Sequence, residues 1–194
     1  MVSSRLPAPI SVFPCFLSAF PGEMLTVTVP SYAPVHAPAH SPERFKQIFR
    51  RYPAGVVVVT ADSGRGPVGF TATSLTSLSL SPQLVSYGIG TATSSWPHVE
   101  GAASTVVNFL GADQETLART FATSGIDRFA APTGWRRLPG GEPVLDGVAG
   151  WLRLETEQIV PAGDHRIVIA RVTASWLDEG RSPLLFHDGS YHSL

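Results

Sequence analysis

Val56-Val57-Val58-Val59-Thr60 is the stretch whose reading decides the fold class. Five β-branched residues in a row suit extended backbone, where their side chains pack well on a pleated surface. A strand with one face in water alternates apolar and polar residues; this run does not, so it predicts a strand covered on both faces. Outward from it the same texture recurs. Segments near 68–72, 76–80, 84–89 and 104–110 read as strands, 148–160 and 165–177 as a long hairpin around Pro161-Ala162-Gly163-Asp164, and Leu184 to Phe186 as a last short strand. Helices are few. Ser41-Pro42-Glu43 sets a cap, a proline at the first helical position and an acid in the first turn. Phe45, Ile48, Phe49 and Tyr52 follow at i, i+3, i+4, i+7, which predicts a docking helix with one apolar face. Two short helices are expected near Ser95-Trp96-Pro97-His98 and from Asp113, as its cap, through Phe121. Many strands with few helices make a mainly β protein, and a closed β-barrel is the arrangement that removes exposed edges.

The 194 residues are 43% hydrophobic and 15% charged, enough for one sizeable core, which is placed in a single domain from 41 to 194. Residues 1–40 are proline-rich, nearly without charge and without periodicity, and read as a disordered arm. Ala8 to Phe20 is apolar enough to suggest a secretory signal, but its prolines and the lack of a clean small-x-small site argue against one, and Met24 offers a second start of translation. A net charge of −1 gives no field to hold a nucleic-acid backbone or an anionic membrane. Cys15 is the single cysteine, which excludes an internal disulfide, a thiolate zinc cluster and a Cys-x-x-Cys redox pair and fits a reducing cytosol. No apolar run reaches the roughly 18 to 20 residues that span a bilayer.

Gly64-Arg65-Gly66-Pro67-Val68-Gly69 is a literal G-x-G-x-x-G after a strand. A phosphate-binding turn must open a helix, yet Phe70-Thr71-Ala72-Thr73-Ser74 follows, so a hairpin turn is the reading. His187 and His192 stand five apart, a spacing that puts them on opposite faces of a strand, and no metal is expected there. The chain has no nucleophile elbow, no Walker loop and no carboxylate pair placed for acid and base roles.

Two constellations remain. Gly69 to Pro82 is dense in small hydroxyls and almost free of charge, a surface that lets amides and hydroxyls approach a polar planar ligand, or else an exposed Ser/Thr strand pair. Ser94 and Ser95 precede a helix, where free amides favour an anion or simply take a cap. The Gly69–Pro82 segment resembles the flavin-contacting stretch of the flavin reductase-like family, the short reductase components of two-component monooxygenases. Further matches follow in family order: Phe49-Arg50-Arg51-Tyr52-Pro53-Ala54-Gly55-Val56, Val107-Asn108-Phe109-Leu110, Leu117-Ala118-Arg119-Thr120-Phe121, Asp127-Arg128-Phe129, Gly163-Asp164-His165 and Pro183-Leu184-Leu185-Phe186-His187-Asp188-Gly189. Together they span about residues 43 to 191.

The resemblance implies an FMN-binding split β-barrel, Greek-key-like, that forms a homodimer with flavin in a groove near the subunit interface. It implies that Thr71, Ala72, Thr73, Ser74 and Ser77 line the flavin ring and ribityl chain, that Ser94 and Ser95 lie near the phosphate, and that Arg128 and Phe129 touch flavin from a lid-side segment. It sets His165 on the nicotinamide side, with Asp164 orienting it. The implied activity is hydride transfer from NADH or NADPH to FMN or FAD, with the reduced flavin passed to a partner monooxygenase. Such a transfer needs orientation and exclusion of water rather than a strong acid or base. A non-catalytic flavin- or haem-binding module, and an oxidase or reductase of the same barrel with tightly bound flavin, stand as alternatives.

Overall fold

The computed structural model describes residues 41–193. The expected arm, with Cys15, Met24 and the signal-like stretch, lies outside the described residues. From Ser41 the chain runs α1 (Pro42–Arg50), β1 (Ala54–Gly55), β2 (Val57–Asp62), β3 (Pro67–Ala72), β4 (Thr76–Leu80), β5 (Gln83–Gly90), α2 (Trp96–Gly101), β6 (Ser104–Phe109), α3 (Glu115–Ala122), β7 (Trp135–Arg137), β8 (Pro143–Leu145), β9 (Gly150–Ala162), β10 (His165–Leu177), β11 (Leu184–His187) and β12 (Ser190–Ser193). Seven strands form one antiparallel sheet in the order β3-β2-β6-β9-β10-β5-β4, and β1-β11-β12 and β7-β8 form two small ones.

The valine run bears out its reading. Val57, Val59 and Ala61 of β2 point into one core with Tyr87, Ile89, Val107, Leu154 and Val168, while Val56 and Val58 point into another with Leu110, Phe121, Leu145 and Leu184. The first core draws on strands from both ends of the sheet, and Phe70 of β3 faces Tyr87 of β5 with ring centroids 6.2 Å apart. The sheet is therefore rolled into a barrel around that core. The second core fills the space under α3 and the 126–148 segment. Asn108, fully buried on β6, binds this cover to the sheet: its Nδ2 donates to Val58 O at 3.0 Å and its Oδ1 accepts from Leu145 N at 2.9 Å. A buried amide with both ends satisfied specifies one arrangement of the strands it joins.

Several expectations are corrected. The barrel does not close by hydrogen bonds, because β3 and β4 are the two edges of the sheet, joined only through residues 73–75. The apolar face of α1 is not packed on the domain: Ile48, Phe49 and Tyr52 are exposed, although Ser41 caps the helix by accepting from Arg44 N at 3.1 Å, as its sequence predicts. Asp113 does not cap α3. Gln114 occupies that position without a side-chain bond to the helix amides, and Asp113 pairs instead with Arg181 at 3.1 Å. His187 and His192 lie on the two strands of the β11–β12 hairpin as diagonal neighbours, 6.1 Å between ring centroids, not on opposite faces of one strand. The glycine motif is the β2–β3 turn, where the Asp62 carboxylate accepts from the amides of Gly64 at 2.8 Å and Gly66 at 3.1 Å. Strands β1, β7, β8 and β12 went unread, since two to four residues give no period to detect.

Candidate active site

One groove gathers most of the candidate residues. Its cavity of about 720 Å³ is lined by Phe70 to Ser74 of β3 and the following connection, by Gly88 to Gly90 of β5, by the 92–95 loop, by the end of α3 with Ser124, Gly125 and Arg128, and by His165. This is the place where the sheet stays open. Ser74 spans the gap: its hydroxyl accepts from Gly88 N at 2.9 Å and so holds the β3–β4 connection to β5.

The strand alternation explains the lining. Tyr87 and Ile89 point into the core, so Gly88 and Gly90 face the groove and leave the backbone bare. A Cβ on Gly90 would meet the His165 ring at 3.7 Å and Thr93 Cγ2 at 3.4 Å, so its absence keeps a cradle open between them. On the other wall β3 touches α3 at Gly69, where a Cβ would stand 2.7 Å from the Phe121 ring. Thr71 adds a tie by donating its hydroxyl to Ala118 O at 2.6 Å.

Two side chains with ring or guanidinium nitrogens, Arg128 and His165, line this space. Arg128 donates to Thr123 O at 2.9 Å, to Gly69 O at 3.0 Å and to Ser95 Oγ at 3.5 Å, and no carboxylate pairs with it among the described residues. Burial pushes its guanidinium down from the usual arginine range. A half-buried cation with only neutral acceptors is a place where an anion such as a phosphate gains a charge-assisted bond. His165 is the first residue of β10, after a turn whose first central residue, Gly163, takes φ +62°, as a type II′ hairpin requires. Its Nδ1 lies 2.7 Å from Asp164 Oδ1, which leaves Nε2 for a ligand. The bond to His165, and then its charge, hold the Asp164 carboxyl below the usual carboxylate range.

Thr71, Ala72, Thr73, Ser74, Ser94, Ser95, Arg128 and His165 thus meet in one groove. Asp164 stands behind His165 rather than in the lining. Ser77 does not join them: on β4 it pairs with Val85 of β5 and is not part of the cavity's lining. Phe129 is buried in the second core, edge-on to Phe121 and Trp135 at 5.2 Å each. Ser95 reaches the groove but is itself buried, its hydroxyl donated to Gly69 O at 3.2 Å, so Ser94 is the more open of the pair. The sequence reading missed Gly88, Gly90, Thr93 and Ser124; two glycines at alternate strand positions were the available signal for a bare backbone face.

The groove presents hydroxyls, bare backbone and a guanidinium to whatever it holds. The family model for the flavin reductase like domain matches residues 49–194. An NADH:FMN oxidoreductase of Rhodococcus qingshengii is 47% identical over 152 residues, covering 76% of this chain and 79% of its own. The NADH:FAD oxidoreductase of Streptomyces globisporus C-1027, solved with NAD and FAD fragments, superposes with a TM-score of 0.76 at 30% identity over 81% of this chain and 97% of that one. The flavin reductase component of a bacterial two-component tryptophan halogenase gives a TM-score of 0.74 at 30% identity over 79% and 98%. A rolled seven-stranded sheet shared with these solved structures, a relative 47% identical and a family match over three-quarters of the chain lead to the same place: the protein belongs to the flavin reductase like domain family.

Proposed function

We propose that this protein is an NAD(P)H:flavin oxidoreductase that passes hydride from a reduced nicotinamide to FMN or FAD and supplies the reduced flavin to a partner monooxygenase. The observation that carries the reading is a single groove holding both a cation without a carboxylate partner among the described residues, Arg128, and a carboxylate-held imidazole, His165. A bound flavin supplies the ring that accepts hydride. The chain supplies position. Arg128 and Ser94 would hold the flavin phosphate, and the backbone and hydroxyls of Ala72 to Ser74 would offer hydrogen bonds to the rest of the nucleotide. Asp164, kept ionised, orients His165 so that Nε2 meets the nicotinamide side. Water exclusion and stacking then do most of the catalysis, since hydride transfer between well-oriented rings draws mainly on proximity.

The assembly is a homodimer in the reducing cytosol. Exposed Ile48, Phe49 and Tyr52 near α1 and Leu78 and Leu80 on the β4 edge support it, because large apolar side chains grouped on a small domain mark surfaces that become covered. Light scattering at the monomer mass with full activity would overturn the dimer. The activity itself is tested by adding NADH and FMN in air and following the loss of the nicotinamide's near-ultraviolet absorbance. Flavin binding without NADH or NADPH consumption would leave only a binding module.

A further inference from the structure

We propose that Thr91 is a positioning residue for the reaction: its amide and hydroxyl together hold the carbonyl of Asp164 and thereby aim His165 into the groove. The inference rests on the reading of His165 as the group on the nicotinamide side.

The β5–β10 ladder reaches its last pair at Gly90 and His165. One residue further, Thr91 N donates to Asp164 O at 2.9 Å and Thr91 Oγ1 donates to the same oxygen at 3.0 Å. That carbonyl belongs to the peptide plane whose other end is the His165 amide. Tilting the plane would swing the His165 Cα–Cβ bond and move Nε2. The ladders hold His165 at its pairs with Ala162 and Gly90, but the Asp164 carbonyl lies beyond the last pair on the β5 side. Beyond its two chain neighbours, no residue comes within 4 Å of the point where a Cβ on Gly163 would sit, and the Asp164 side chain is 93% exposed with His165 as its partner. The amide bond alone would fix the carbonyl along one direction; the hydroxyl, arriving from the side chain, fixes the rotation as well.

Thr91 also joins the two halves of the groove. The loop that follows it folds back on Gly90 O, which accepts from Thr93 Oγ1 at 2.8 Å and Thr93 N at 3.2 Å. It then leads through Ser94 to Ser95, whose hydroxyl shares Gly69 O with Arg128. The Asp164–His165 turn is thus tied to the segment expected to receive the flavin phosphate through the amide and the hydroxyl of Thr91. A half-buried threonine with no such role would tolerate replacement by valine, which has the same branching and keeps the amide bond.

The test is a kinetic cycle on Thr91→Val, Thr91→Ser and His165→Ala, alone and with Thr91→Val combined with His165→Ala. Removing one hydrogen bond from the positioning set should lower kcat by about three- to tenfold while KM for the nicotinamide changes by less than about twofold. Thr91→Ser should restore the rate. Flavin affinity and melting temperature should match the parent protein. In the His165→Ala background Thr91→Val should cost nothing further, since a residue acting through another has no effect once that one is gone. Parent-like kinetics of Thr91→Val beside an impaired His165→Ala would overturn the positioning role alone. An undiminished Thr91→Val effect in the His165→Ala background, or a loss of flavin affinity that tracks a fall in melting temperature, would make the hydroxyl structural. Parent-like His165→Ala would remove the reading on which the proposal stands, and the proposal with it.

Discussion

His165 stands more than half exposed on a hairpin turn, where a side chain adds little to the core, so His165→Ala should change stability by no more than about 0.5 kcal/mol. Its loss should lower kcat/KM for the nicotinamide by about ten- to a hundredfold, the effect of one charge-assisted or well-placed hydrogen bond in the transition state. Flavin affinity should hold, because the hydroxyl segment and Arg128 come from other parts of the chain. Steady-state kinetics beside a flavin titration and a thermal melt separates these outcomes; a collapsed melting temperature would make the residue structural. Arg128→Met gives the complementary result. If the guanidinium meets phosphate, FMN affinity should fall by about ten- to a hundredfold while riboflavin, which lacks the phosphate, loses much less. Equal losses would assign Arg128 to anchoring the 123–128 loop. At this scale the sequence shows donors but not their direction. Ser95 and Thr71 were legible as hydroxyls near a ligand, yet Ser95 turns to Gly69 O and Thr71 to Ala118 O, and only the crossing of β3, α2 and α3 decides that.

Elements were legible in proportion to their length and period. The valine strand, the β9–β10 hairpin and the Ser41 cap could be read because each repeats a local rule over many residues or sets several cap signals in order. The docking expectation for α1 found an apolar face correctly and its cover wrongly, since amphipathicity says that a face wants burial and not which surface supplies it. The α3–β3 contact was invisible for the opposite reason: its signature is an absent side chain. Gly69→Ala should force the Phe121 ring out of the second core, where it meets Phe129 edge-on, and cost roughly 1 to 3 kcal/mol as overpacking does. Urea unfolding would register it, and an unchanged midpoint would mean that α3 can lift from the sheet freely. Because α3 and Arg128 share that wall of the groove, flavin affinity should fall along with stability.

For the whole molecule, removing residues 1–40 should leave melting temperature and flavin binding intact, because the first capped helix begins after Ser41 and the family match begins at residue 49. Loss of either would show that the arm belongs to the domain. Acid should weaken the fold through two carboxylates. For Asp62 and Glu142 burial acts to raise the pKa but is outweighed, at Asp62 by Arg137 and the Gly64 amide and at Glu142 by Ser104 and Arg153, leaving both below their ordinary values. A folded pKa below the unfolded one means stability that is complete above about pH 5 and lost as pH falls through about 4 and lower. Urea midpoints across pH should show that decline, and Glu142→Gln should make it shallower. The open seam between β3 and β4 has a further consequence for how such a protein can change over generations. A ligand seated where a sheet has left its ladder unfinished meets main-chain amides and carbonyls, which every residue type except proline carries in full. Drift in the side chains around the seam can then retune which flavin or donor is preferred while the basic grip persists, so descendants of this barrel can exchange clients without first losing the ability to hold a flavin.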